Sequence, residues 1–580
     1  MGGKDNEPNA EGVFSPLEGG AYSGSPSNAQ SKRHNLIWGG VSVFLLLNII
    51  ALYILHFVDR GNSGDSVTGT FSTSDLSANA QSASKGQAVS YTTDGQLTPG
   101  AGTTAYLSAT TLPSEDQYLA YIKFAPLGTS ESAYASNIIS FQTGTSPDIS
   151  ATVTVLTTDA DTKTVSIADA GSSNIFSGST VKGLTTLSDT LATALTTVTD
   201  ESFTTTTSVT PVKISDGSIS VQQSQTAVAY NTSSTTFMTR VSDTSFALVY
   251  YESYLVSPYY QRIVIGTVAD DGSISFSDSL EFGNANDATL TTTFGTPQSV
   301  FNTSNTVTVP WYVDASSSTN GTSSSVGSVV SPIYFVDSAK ISETVIALSY
   351  FDTANNYALT VSLVEFSSIS GSPSFRGSYV IDESMGKIDF GSATGFYPTP
   401  IVRMLPNNRL AVGFLNPANS GKPSIKVLTY SSDLTLSEES PVLPVANADF
   451  SVASADPKAA GSIVLDVVAT ETGALIGYAG LWAGSQNQRV ALVESYGKPV
   501  GIVSNVDGSD LDVALSGTVD VSSSSLVKGT TYYSSTEGTL YAASTASTNN
   551  YILANDNSIV ISKDALVGVA ISDAKLVVTV

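Results

Sequence analysis

The stretch SFALVYYESYLVSPYYQRIVIGTVADDGSISF, residues 245–276, holds the reading that decides the fold. Arg262 to Val268 is rich in β-branched residues, Asp270-Asp271-Gly272 is a turn signal, and Ser273-Ile-Ser-Phe276 resumes the alternation. A β-run, an Asp-Gly turn and a second β-run in that order predict a hairpin. The run ahead of them, Ser245-Phe-Ala-Leu-Val-Tyr250, passes through apolar residues and ends on an aromatic.

That run recurs along the chain. Its copies are Gln117-Tyr-Leu-Ala-Tyr121, Val345-Ile-Ala-Leu-Ser-Tyr350, Arg409-Leu-Ala-Val-Gly-Phe414 and Ala474-Leu-Ile-Gly-Tyr478, with a degenerate one at Leu191-Ala-Thr-Ala-Leu195. The aromatics Tyr121, Tyr250, Tyr350, Phe414 and Tyr478 stand 129, 100, 64 and 64 residues apart. The first step is close to two of the last, and the step of 100 contains a Ser/Thr-rich insertion, Ser316 to Ser328. A second β-run follows the clear copies, as in Ala358 to Val364, Ile425 to Tyr430 and Arg489 to Val493. Leu184, Leu187, Leu191, Leu195 and Val198 fall at helical spacing, but the threonines between them disfavour a helix. Four short strands fit one such repeat, and four-stranded units repeated about six times are the mark of a β-propeller. Each blade then buries its faces only against its neighbours. Serial β-sandwiches are the competing architecture, since they too give short strands and regular turns.

The Ala-Leu-Val-Tyr-Tyr run at 247–251 and the hairpin at 265–276 resemble degenerate β-propeller repeats of surface proteins in algae, viruses and bacteria, over roughly 240–503. The C-terminal end has its own likeness. Lys528-Gly-Thr-Thr-Tyr-Tyr533, Glu537-Gly-Thr-Leu540, Leu566 to Ser572 and Lys575-Leu-Val-Val578 resemble the small β module that ends tail-fibre and adhesin-like proteins. Such modules imply attachment or display, and neither likeness transfers an active residue.

Upstream, Leu36 to Val58 reads LIWGGVSVFLLLNIIALYILHFV, 23 residues without a formal charge. As a helix it would measure about 34 Å, against a bilayer hydrocarbon core of about 30 Å. It is too long for a signal-peptide core and follows a polar segment, which fits a retained signal-anchor. Trp38 and Tyr53 suit the two interfaces, and Asn48 near the centre is either a tolerated polar residue or an interhelical hydrogen-bonding group. Lys32 and Arg33 precede the run and only Arg60 follows closely, so the positive-inside rule puts the N-terminus in the cytoplasm.

The expected organisation is all-β beyond the anchor. Residues 1–35 form a disordered cytoplasmic tail, 36–58 the transmembrane helix and 59–104 a stalk or weak strands. Residues 105–503 form a β-propeller-like domain of six or seven blades, and 504–580 a small C-terminal β module. The localisation that follows is single-pass membrane, with the large domain extracellular or lumenal.

Charge and rare residues limit the chemistry. The net charge is −26, with apolar residues at 41% and charged ones at 13%, so a sizeable core is available and nucleic acid is not an expected partner. There is no cysteine, and both histidines, His34 and His56, belong to the anchor region. Cysteine and histidine nucleophile chemistry and His- or Cys-based metal sites are thereby excluded from the large domain. Glycoside cleavage needs only two carboxylates and survives, with Glu252, Asp352 and Glu365 as candidates. Asp507, Asp510 and Asp512, in an Asn505 to Asp512 loop, are candidate calcium ligands, although the segment lacks EF-hand order. Asn231, Asn302 and Asn320 begin N-glycosylation sequons. These readings point to display of a β-rich domain for adhesion, assembly or glycan or protein binding. The alternatives are a membrane-tethered carbohydrate-active enzyme and a structural wall or coat component.

Overall fold

The 245–276 hairpin forms as its turn chemistry requires. In the computed structural model Gly272 takes φ +86, a left-handed value that glycine adopts without strain. The Asp271 carboxylate accepts the Ser273 amide at 2.8 Å and the Ser273 hydroxyl at 2.7 Å, an Asx turn that fixes the reversal. Strand Tyr260–Val268 then pairs with Ile274–Phe276 in the register Val268↔Ile274 and Gly266↔Phe276.

The structure describes residues 66–580 apart from short segments and the longer ones 285–299, 309–332, 383–399 and 447–462. The tail, Leu36 to Val58 with Trp38, Asn48 and Tyr53, and the sequons at Asn231, Asn302 and Asn320 lie outside the described residues. Among the described residues the named elements are strands, with one 3-10 turn at Lys563–Ala565, and no helix is long and apolar enough to cross a membrane.

Five antiparallel sheets share one order, in which consecutive strands lie side by side. The first runs Ile122–Pro126, Ser136–Thr143, Ser150–Thr158, Val165–Ile167. The second is Thr180–Ser188, Leu191–Thr199, Thr205–Ser215, Ser218–Val221, and the third Phe237–Arg240, Ser245–Glu252, Tyr260–Val268, Ile274–Phe276. The fourth is Ile333–Lys340, Val345–Asp352, Ala358–Phe366, Pro373–Asp382, and the fifth Ile401–Leu405, Arg409–Asn416, Lys422–Tyr430, Leu436–Glu438. A closing sheet takes Ile463–Ala469, Gly473–Trp482 and Ser485–Ser495 from the C-terminal half and adds Thr103–Thr111 from the N-terminal half.

These sheets stack as blades. The first strands of neighbouring sheets touch in the succession fourth, fifth, closing, first, second, third. The cores lie between sheets rather than within a closed pair. Ile138 and Val153 of the first meet Val181 and Val212 of the second. Leu195 and Val209 of the second meet Phe246 and Val264 of the third. Phe351 and Leu363 of the fourth meet Val412 and Phe414 of the fifth. Ile425 of the fifth meets Ile476 and Tyr478 of the closing sheet, whose Leu475 and Leu492 meet Phe124 and Phe141 of the first. Each large side chain buried this way stabilises the stack by about 1.5–3 kcal/mol. Inter-sheet cores around a common set of innermost strands are propeller-like packing and do not fit separate sandwiches.

In every blade but the first, the recurring run is the second strand. Tyr350, Phe414 and Tyr478 are buried there, and Leu191–Thr199 fills the degenerate position. Gln117 to Tyr121 lies outside the described residues. In the first blade the second strand is Ser136–Thr143, and Phe141 takes the aromatic place.

Residues 59–104, expected as a stalk or weak strands, contribute Val67–Phe71, Ala88–Tyr91 and Leu97–Pro99 to a nine-stranded sheet. Its other strands come from the C-terminal segment, among them Gly501–Asp507, Asp510–Asp520 and Lys575–Val578. The 504–580 segment therefore shares its sheet with N-terminal strands. It also extends the closing blade, because Ile559–Ser562 pairs with Thr103–Thr111 in the register Val560↔Ala105.

Candidate functional site

Among the described residues the innermost strand of each blade has one edge without a strand partner, and its amide and carbonyl groups must be satisfied another way. Two aspartates do this. Asp466, on Ile463–Ala469, accepts the Phe124 amide of the first blade at 2.9 Å. Asp337, on Ile333–Lys340, accepts the Val402 amide of the fifth blade at 3.0 Å. Between them Arg403 donates to Asp337 at 2.6 Å and to Asp466 at 2.8 Å. One guanidinium thus ties the fourth, fifth and closing blades, and Asp466 carries the link to the first. Burial works against the charge on Arg403, but the two carboxylates more than offset it and hold the guanidinium protonated.

Lys123 and Lys182 bring further charge to the next two blades. They stand on the innermost strands of the first and second blades, which pack side by side. Both are half-buried. Burial, reinforced by the positive charge of Lys123, lowers the Lys182 ammonium to about 8. Strand irregularities place three of these residues. The ladder shifts between Tyr334 and Asp337, between Val464 and Asp466, and between Val181 and Gly183, with Lys182 as the extra residue. A bulge turns a side chain away from the strand's regular alternation.

A second buried cluster sits where the closing blade meets the shared sheet. Glu494 accepts Lys163 Nζ and Thr472 Oγ1 on one oxygen, each at 3.1 Å. The other oxygen accepts Tyr106 OH at 3.1 Å and Thr536 Oγ1 at 3.0 Å. Its four partners come from the closing blade, a first-blade turn and the C-terminal segment, so the carboxylate is saturated. Burial first, and the charge of Glu494 after it, push the Tyr106 hydroxyl well above its ordinary range. Burial also raises Glu537 nearby. A third cluster joins the fourth and fifth blades, where the buried Lys426 of the fifth pairs with Glu438 at 3.0 Å and stands 5.2 Å from the centre of the fourth blade's Tyr379 ring.

The glycosidase candidates do not converge. Val345 pairs with Glu365 and Asp352 with Ala358, at opposite ends of one strand pair. Seven residues of strand separate them, about 23 Å at ~3.3 Å per residue, against the 5–9.5 Å or so that a hydrolytic carboxylate pair needs. Asp352 accepts the Asn355 amide at 3.3 Å, and Glu365 pairs with Arg376. Glu252 ends the second strand of the third blade, opposite Tyr260.

The calcium candidates lie at a hairpin end, with Asp507 opposite Asp510 and Asn505 opposite Asp512. The two Asp512 oxygens accept Thr70 Oγ1 at 2.7 Å and Asn505 Nδ2 at 3.4 Å. Among the described residues no three Asp, Glu, His or Cys side chains are grouped to hold a metal ion.

Sequence reading missed the axial residues, although a signal exists for them. Three of them are lone charges in strand-like runs just ahead of a repeat copy, Val336-Asp337-Ser338, Val402-Arg403-Met404 and Leu465-Asp466-Val467, whereas Ile122-Lys123-Phe124 directly follows the copy at 117–121.

No family model and no curated protein matches the chain. Solved structures that align with it include a lectin of Burkholderia pseudomallei, at 12% identity over 66% of this chain and 99% of that one, TM-score 0.37. A protein of unknown function from Dyadobacter fermentans aligns at 10% identity over 68% and 99%, TM-score 0.35. A periplasmic gluconolactonase of Pseudomonas aeruginosa aligns at 11% identity over 68% and 100%, TM-score 0.34. Alignments this distant carry no argument about function, and the blade architecture stands on the strand order and inter-sheet cores described above.

Proposed function

We propose that the chain is a type II single-pass membrane protein whose β-propeller is a non-catalytic platform for a glycan or protein ligand. The observation that carries the binding reading is the state of the axial carboxylates. Asp337 and Asp466 are committed to backbone amides and to Arg403. A hydrolytic pair needs one carboxyl free to give a proton and one free to attack or to activate water. Carboxylates that serve as struts are suited to holding a rigid face in place. The anchoring rests on the uncharged run Leu36 to Val58 and the basic Lys32 and Arg33 ahead of it. Exposed outside the cytoplasm, the sequons at Asn231, Asn302 and Asn320 are open to modification.

Two measurements on the full-length protein in intact cells test this. External protease should degrade the large domain, and glycosidase treatment should sharpen its band on a gel. Full protection from protease would overturn the topology. Full-length protein in detergent, applied to an array of neutral and acidic glycans, should bind a subset without releasing reducing sugar. Release of sugar from bound oligosaccharides would overturn the non-catalytic reading in favour of a tethered carbohydrate-active enzyme.

A further inference from the structure

Each blade ends its sheet at an outer edge, and the fourth blade ends it differently from the rest. In the first, second, third and fifth blades two short strands in turn cover the third strand. Val165–Ile167 and Ile175–Ser177 share Ser150–Thr158, and Ser218–Val221 and Gln225–Val228 share Thr205–Ser215. Ile274–Phe276 and Leu280–Asn284 share Tyr260–Val268, and Leu436–Glu438 and Leu443–Pro444 share Lys422–Tyr430. Short, broken edges of this kind resist pairing with other chains. The fourth blade instead has one strand of 10 residues, Pro373–Asp382, paired with its neighbour from Leu359 to Phe366. The closing blade also has a long fourth strand, Thr103–Thr111, and there Ile559–Ser562 covers the outer edge. Among the described residues no strand covers that of Pro373–Asp382. Phe375 and Val380 on it are 39% and 37% exposed, and Ser374, Arg376 and Ser378 are exposed as well. The charge inside the strand does not guard the edge, because Arg376 is held by Glu365 of the same blade at 2.6 Å.

Side-chain placement makes this edge complementary to itself. Cross-strand partners point to the same face of a sheet. Phe375, Ser378 and Val380 lie opposite Val364, Ser362 and Thr360, alternate residues of the neighbouring strand, so all three share one face. They do so because the ladder shifts between Phe375 and Gly377, with Arg376 as the extra residue. Gly377 and Tyr379 share the opposite face, toward the fifth blade, where Tyr379 OH donates to Glu438. A twofold axis through Ser378 sets Ser378 against its own copy and Gly377 against the second copy's Tyr379. The bulge at Arg376 then brings Phe375 level with the second copy's Val380, on the same face. We propose that two copies of the chain pair antiparallel through the outer edges of Pro373–Asp382, joining their fourth blades into one continuous sheet. Backbone hydrogen bonds supply the attachment, and the contact between Phe375 and Val380, made twice, sets the register.

The chain has no cysteine, so a single introduced thiol reads the register directly. Residues directly opposite in an antiparallel pair have Cα atoms about 4.5–5.5 Å apart, within the roughly 4.4–6.8 Å that a disulfide spans. Ser378→Cys in the full-length protein, in detergent under mild oxidation, should give a covalent dimer on a non-reducing gel. Ser374→Cys lies about 20–25 Å from its own copy in this register, at ~3.3 Å per residue, and should stay monomeric on the gel. Equal crosslinking of the two variants, or none with Ser378→Cys, overturns the proposal. Sedimentation velocity of the wild type and of Val380→Lys is the second measurement. The wild type should dimerise at micromolar concentration, and Val380→Lys should weaken the dimer by about tenfold or more. A wild type that stays monomeric overturns the proposal. So does a dimer that Val380→Lys leaves unchanged, which would move the contact to another surface. Glycan binding is read on the array and dimerisation by crosslinking and sedimentation, so either reading can fail while the other stands.

Discussion

Arg403 is the residue that joins the fourth, fifth and closing blades. Its side chain is 28% exposed, whereas those of Asp337 and Asp466 are 7% and 4% exposed. A buried pair is weak evidence of net stabilisation, because desolvation opposes the Coulomb gain, but removing one partner leaves a buried charge without compensation. Asp466→Ala also orphans the Phe124 amide. It should cost about 3–5 kcal/mol, measured by urea unfolding. The triple replacement of Asp337, Arg403 and Asp466 by Asn, Met and Asn should cost less than Asp466→Ala alone. If the triple variant is worse than the single one, the network contributes beyond charge compensation and this account of it fails. The residue scale is also where the sequence was hardest to read. A lone charge in an apolar strand looks like a solvated side chain until the topology brings four such strands together. Asp337 and Arg403 are 66 residues apart, and Asp466 and Phe124 are 342 apart. No local pattern encodes that meeting.

At the scale of the element the sequence was more forthcoming. The 64-residue spacing, the aromatic second strand and the Asp-Gly hairpin are local signals, and each corresponds to a strand or turn in the structure. The first blade shows where local reading stops. Tyr121 fits the aromatic pattern, but Phe141 occupies the buried position, because pairing with Ser150–Thr158 selects Ser136–Thr143 as the second strand. Blade contacts leave a second trace in the glycines. A Cβ on Gly477 would lie 2.9 Å from Ile122 Cγ2 and 3.0 Å from the Phe124 ring, so the closing blade has a glycine where the first blade presses on it. Gly477→Val should destabilise by about 1–3 kcal/mol through overpacking. Trimming the opposing ring with Phe124→Leu should recover part of that loss in a double-mutant cycle. Strictly additive costs would show that the two blades do not meet at this point.

On the scale of the whole molecule, the closing blade decides how the chain holds together. Thr103–Thr111 is a central strand, paired with Ser485–Ser495 on one edge and Ile559–Ser562 on the other. Glu494 binds Thr536 from the same C-terminal segment, and Val67–Phe71 pairs with Asp510–Asp520. A boundary at 503, natural in a linear reading, therefore cuts through two sheets. Deleting 504–580 would remove the partner of Val67–Phe71 and uncover one edge of Thr103–Thr111. It would also leave Glu494 without the Thr536 hydroxyl, and an uncovered edge invites pairing with other chains. The prediction is that the truncated protein either aggregates or unfolds in a broad transition at lower temperature than the full chain. Circular dichroism melting with size-exclusion chromatography would record this. If C-terminal strands were an appended module, the truncated propeller would instead melt cooperatively at the temperature of the intact protein, since domains joined only by a linker keep their own cores. The same weave gives mechanical sense to the proposed anchoring. A pull on the N-terminal side of Val67 would be resisted by strands from both ends of the chain, because Val67–Phe71 is paired with Asp510–Asp520.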